Sequence, residues 1–92
     1  MLLTDAKEQF EKYLLLLERF DKTIKCYVKD LKYFNQFLLD KYKIPSIILD
    51  SIITDDVQDF LYFILSEKHY VPNSRGRALN SIKNLDRRFI LH

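Results

Sequence analysis

The 92-residue chain has one glycine, two prolines, one cysteine and no tryptophan. So few turn formers, with long mixtures of charged and apolar residues, favour helices over strands, and an all-α domain is the default. Cys26 has no second cysteine with which to form an internal disulfide. With only His69 and His92 beside it, there is no ligand set of zinc spacing. A reducing, cytoplasmic setting fits that cysteine usage. Met1-Leu2-Leu3 runs at once into Thr4, Asp5 and Lys7, and no stretch approaches about 18 uncharged apolar residues, so the expectation is a protein neither exported nor membrane-spanning. A glycine-rich phosphate loop is missing, and His69 and His92 occupy unrelated positions that make no base–nucleophile pair. No catalytic residue, cofactor or metal is therefore expected. Asp55, Asp56 and Asp59 read as capping and solvated charge at a helix start rather than a divalent-metal cluster.

What the chain does contain is a 48% apolar, 14% aromatic composition, enough for the core of one small domain. Its charge is sorted along the sequence. Residues 1–20 hold 3 basic and 4 acidic side chains, 21–43 hold 6 and 3, 44–71 hold 1 and 5, and 72–92 hold 5 and 1. The formal net charge of +2 implies no polyanionic partner by itself. Two basic segments on one surface would nevertheless present a basic face.

The apolar spacing predicts four helices. The first runs from about Thr4, its N-cap, to Arg19, and places Ala6, Phe10, Tyr13, Leu14 and Leu17 inward. The consecutive apolar run Leu14–Leu17 is either buried on more than one side or a partner-binding face. The second runs from a capping Asp21 to about Tyr42, with Ile24, Tyr27, Val28, Leu31, Phe34 and Leu38 on one side. At about 100° per residue, Lys22, Lys25, Lys29 and Lys32 then fall within roughly 80° of one another on the outer face. Lys43-Ile44-Pro45-Ser46 ends it, because the residue before proline is pushed out of the α region.

Ile47–Ile53 is either an extended connector or one helical turn under the bundle. Thr54-Asp55-Asp56 starts a third helix, to about Glu67, burying Val57, Phe60, Leu61 and Ile64. Tyr70–Ser74 reads as a turn into a fourth, from about Ser74 to Leu91. Its inward side carries Ala78, Leu79, Ile82, Leu85 and Phe89, and Gly76 in its first turn costs about 1 kcal/mol relative to alanine. Hydroxyl and amide side chains beside the free N–H groups of a helix start suit phosphate oxygens, and arginine also reads guanine edges.

Three motifs in order carry a family resemblance. Thr23-x-x-x-Tyr27-x-x-Asp30-Leu31-x-x-Phe34-x-x-Phe37-Leu38, Ile53-Thr54-Asp55-Asp56-Val57-x-x-Phe60-Leu61, and Asn73-Ser74 through Leu79 with Ile82-Lys83 resemble the N-terminal, SAM-like core-binding domain of phage integrases and other tyrosine recombinases. The match spans about residues 5–91. It implies a small orthogonal all-α bundle of four to five helices that forms half of a clamp around double-stranded DNA at the recombination site.

Carried over by position, the implied contacts are Thr23, Lys25 and Lys29 on the second helix and Ser74, Arg75, Arg77, Ser81 and Lys83 on the fourth; Lys32 joins them from the lysine row. Arg75, Gly76 and Leu85-Asp86 depart from the residue types usual in the family. The family's arginine–histidine–tyrosine catalytic domain has no counterpart in this chain, so the expectation is a non-catalytic, monomeric DNA-binding module of a recombinase that assembles as an oligomer on DNA. On this reading, changing Lys25, Lys29 and Arg77 together to alanine lowers DNA affinity and leaves the fold intact. The alternative is a helical protein-interaction module docking through Leu14–Leu17 and Ile47–Ile53, with no DNA role. A stand-alone helix-turn-helix regulator fits less well, because no short turn joins a compact helix pair.

Overall fold

In the computed structural model the described residues are 1–17 and 21–85, and they form four helices: α1 (Leu3–Leu16), α2 (Asp21–Tyr42), α3 (Thr54–Ser66) and α4 (Pro72–Leu85). The protein is a small all-α bundle, as its composition predicts. Helix α2 is its axis and packs against each of the other three. Ile24, Leu31, Phe34 and Leu38 recur along α2 at steps of three, four and seven, and all are buried. That stripe meets Leu3, Phe10 and Leu14 of α1, Val57, Phe60 and Ile64 of α3, and Ala78 and Ile82 of α4 in one core. Phe34 and Phe60 touch at a ring separation of 5.0 Å, joining α2 to α3 at the centre. No described helix is long and apolar enough to cross a membrane.

The helix ends show what local reading misses. Helix α1 begins at Leu3, with Leu2 rather than Thr4 in the cap position. The cause lies 46 residues away in the chain: Leu2 pairs with Ile48 in an antiparallel bridge, in which the Leu3 N–H donates to the Ile47 carbonyl at 2.9 Å and the Leu49 N–H to the Met1 carbonyl at 2.8 Å. The connector is thus extended at Ile48 and then makes one 3-10 turn, Leu49–Ser51, with Ile47 and Ile52 buried on either side.

Tyr13 and Leu17, expected in the core, are 57% and 46% exposed, because α1 packs through the narrow stripe Leu3, Ala6, Phe10 and Leu14. Helix α4 begins at Pro72, whose missing N–H and fixed φ suit a first helical position. Ser74 therefore sits inside the first turn and is not the cap. The side chain of Asp21, expected as a cap, lies outside what is described, as do Arg19 and Phe89 at the predicted helix ends.

Helix α3 starts at Thr54, but its cap is a carboxylate rather than the Thr54 hydroxyl. The Ile53 N–H donates to Asp56 Oδ2 at 3.0 Å, while the Asp56 N–H returns to the Ile53 carbonyl at 3.0 Å. Asp56 is 1% exposed and also accepts from Lys41 Nζ at 2.7 Å and from the Tyr42 hydroxyl, so it pins the end of α2 to the start of α3. Asp59 adds a second, exposed oxygen 2.9 Å from Lys41.

Burial alone would raise the Asp56 pKa, but the Ile53 N–H, Lys41 and Tyr42 outweigh it and hold the carboxyl below its ordinary value. A depressed folded pKa gives stability that is present above the unfolded carboxyl value of about 3.9 and is lost as pH falls through the folded one. We expect Asp56→Asn to remove part of the acid limb below about pH 4 in a plot of urea midpoint against pH. An unchanged acid limb would show that Asp56 titrates alike in both states.

Candidate nucleic-acid interface

Lys22, Lys25, Lys29 and Lys32 are all exposed on α2, one turn apart on the side away from the core stripe. Lys41, counted in the same basic segment, is committed to Asp56 and Asp59, whose hydrogen bonds raise its pKa well above the ordinary lysine value. The basic face of α2 is thus the four-lysine row.

Helix α4 meets this face through a buried polar cluster. Asp30, 1% exposed, points from α2 towards α4 and takes Arg77 Nε at 2.8 Å and Nη2 at 3.2 Å. Its Oδ1 also accepts from the Tyr70 hydroxyl at 2.8 Å. Burial and that bond to Asp30 push the Tyr70 phenol well above its usual range, and the same carboxylate raises the Arg77 pKa. The Tyr70 ring stands between the two basic helices, with Lys29 Nζ and the Arg77 guanidinium carbon each 5.9 Å from its centroid. Arg75 Nη1 donates to the Tyr70 carbonyl at 2.9 Å, an interaction that leaves its charge unneutralised.

The sequence-predicted residues therefore divide. Lys29, Arg75 and Arg77 gather around Tyr70, with Lys25 and Lys32 one turn to either side on α2. Ser74 is half-buried in the first turn of α4, where Asn73 and Ser74 precede the first helical bond, from the Arg75 N–H to the Val71 carbonyl at 3.0 Å.

Two expectations are corrected. Ser81 is fully buried and donates to the Arg77 carbonyl at 3.0 Å, so it packs α4 into the bundle and offers nothing to a ligand. Arg77 is primarily the counter-ion of a buried carboxylate, so the triple alanine change that includes it is expected to destabilise the bundle as well as to remove charge. Lys83 lies elsewhere, lining a cleft with Phe10, Tyr13 and Tyr27. The Thr23 side chain lies outside the described residues, as do Arg87 and Arg88 of the second basic segment.

Lys68 was hidden in the acidic segment. Its ammonium lies 4.9 Å from the Tyr33 ring, which places it beside Lys32 at the edge of α2. The only local signal was its position just before the turn into α4. Among the described residues no group of three His, Cys, Asp or Glu could hold a metal ion. Comparison with protein-family models, with curated proteins and with solved structures gives no match.

Proposed function

We propose that this domain binds duplex DNA, as the core-site-gripping module of a tyrosine-recombinase-type integrase. The observation that carries the reading is the convergence of two chain-distant basic segments on Tyr70, with Lys29 and Arg77 each 5.9 Å from its ring. Lys25, Lys29 and Lys32 contact phosphates, the first turn of α4 with Ser74 and Arg75 contacts the strand beside them, and Arg77 holds α4 in register with α2. The integrase assignment rests on the three ordered motifs, the DNA assignment on this surface.

Phosphate contacts make affinity fall with salt at about 0.9 log units per contact per log unit of salt. Lys25→Ala with Lys29→Ala, both at exposed positions, is expected to flatten that slope by nearly 2 and weaken low-salt binding about tenfold or more, with an unchanged circular dichroism melt. Fluorescence anisotropy across a salt series reads both quantities. Equal affinity and slope in the variant would remove the lysine row from the interface.

Protein docking is favoured by a different observation. Leu15, Leu16 and Leu17 are 55%, 81% and 46% exposed, and Ile48 is 55% exposed. In a chemical-shift titration, perturbations confined to those residues on adding protein, with none at Lys25 on adding DNA, would select it.

A further inference from the structure

Between α2 and α3 lies an open cleft of about 600 Å³, within the size range of ligand sites. Its floor is aromatic: Phe37 and Phe63 lie 5.0 Å apart, both backed by the buried Phe60, and Tyr33 continues the floor towards α4. All three floor rings are only partly buried.

Charge is graded along the cleft. Lys32 and Lys68 stand at one end. Two helical turns further along α2, about 12 Å away at 1.5 Å per residue, the walls carry Asp40 and the already paired Lys41. Asp40 accepts from Gln36 Nε2 at 3.1 Å, so the far end is neutral to acidic and the near end cationic. Lys32 is also the last lysine of the α2 row, so the cationic end continues the proposed DNA face.

We propose that this cleft takes an unpaired nucleotide of the bound DNA, its base on the Phe37–Phe63 floor and its phosphates between Lys32 and Lys68. The inference rests on the DNA-binding reading and extends it. Within a duplex the base faces are covered by stacking, so away from the duplex ends only an unpaired base presents a face to these rings. Aromatic floors with flanking cations are the general solution for single strands. The phosphate competes for Lys68, whose ammonium now rests on Tyr33 and lies on a flexible stem at the surface. An acidic amphipathic peptide shares part of this chemistry, but it does not account for the continuity of the cationic end with the lysine row.

The test compares a blunt duplex with the same duplex carrying a short oligothymidine tail, by fluorescence anisotropy on the intact chain. The tail is expected to tighten binding about tenfold, the scale of stacking one base. Phe63→Leu, which keeps apolar volume but removes the ring face, and Lys68→Ala, at an exposed position, should each abolish most of that gain. Phe63→Leu should leave the bundle folded and blunt-duplex affinity unchanged, whereas Lys68→Ala, beside the duplex-facing Lys32, should weaken tailed DNA more than the blunt duplex.

If the blunt duplex binds and the tail adds nothing, or if the gain survives both variants, the cleft is not a nucleotide site and the duplex reading stands. If only the tailed DNA binds, and through Phe63 and Lys68, the cleft assignment holds and the duplex reading falls. If neither binds, both fall. Displacement of Phe63 signals by a leucine- and glutamate-rich peptide, with no response to the tail, reassigns the cleft to a protein partner.

Discussion

Arg77→Ala is expected to lower the unfolding free energy by about 3 kcal/mol, the lower end of what breaking a buried ion pair costs. Asp30 is the reason. It is 1% exposed and accepts two of its three side-chain bonds from the Arg77 guanidinium. Removing that group leaves a buried carboxylate held by Tyr70 alone. A domain of this size has roughly 5–14 kcal/mol of stability, so the loss is a large share of it.

Urea unfolding followed by circular dichroism measures it. Arg77→Lys, which keeps charge but not the two-point geometry, should fall between the variant and the parent. A cost under about 1 kcal/mol would mean that the pair behaves as a surface ion pair and that Asp30 rehydrates. For the proposed DNA-binding function the consequence is that a loss of affinity on changing Arg77 would report on the α2–α4 register, whereas a loss on changing the lysine pair would report on phosphate contact.

The parts of the bundle that were legible in the sequence are those decided within one or two helical turns. Helix α2 ran from Asp21 to Tyr42 as expected, because its apolar stripe is regular and Pro45 follows its end. The α3 core residues Val57, Phe60 and Ile64 were likewise visible from spacing. What was not visible depends on partners far along the chain. The bridge to Ile48 shifts the α1 start, a Pro72 first turn displaces Ser74 from the cap, and the 47-residue separation of Asp30 and Arg77 leaves no local signature.

Charge counting had the same limit at the site. It grouped basic residues by segment, yet the structure removes Lys41 and much of Arg77 into ion pairs, buries Ser81, and moves Lys68 from an acidic segment to the side of Lys32. Only pairing in three dimensions separates cations that hold the bundle together from cations left for a ligand.

Phe60→Ala is expected to be at least as damaging, at about 3–5 kcal/mol, because truncating a buried phenylalanine loses both its transfer free energy and the packing around the cavity. Phe60 is 1% exposed, and its ring lies 5.0 Å from Phe34, 5.7 Å from Phe37 and 6.4 Å from Phe63. Neighbours on both α2 and α3 therefore lose contacts together. Phe60→Leu, which keeps most of the volume, should cost less than about 1.5 kcal/mol. The contrast between the two, read from urea midpoints at a common m-value, separates cavity formation from loss of aromatic contact.

A small and equal cost for both substitutions would mean that α3 closes over the gap and that the aromatic cluster is dispensable to the fold. A large cost for alanine alone identifies Phe60 as the support beneath Phe37 and Phe63. In that case the cleft floor is held in place by the core itself. Substitutions at Phe60 would then disturb both stability and the cleft, which is why the binding test acts on Phe63 and Lys68 at its surface.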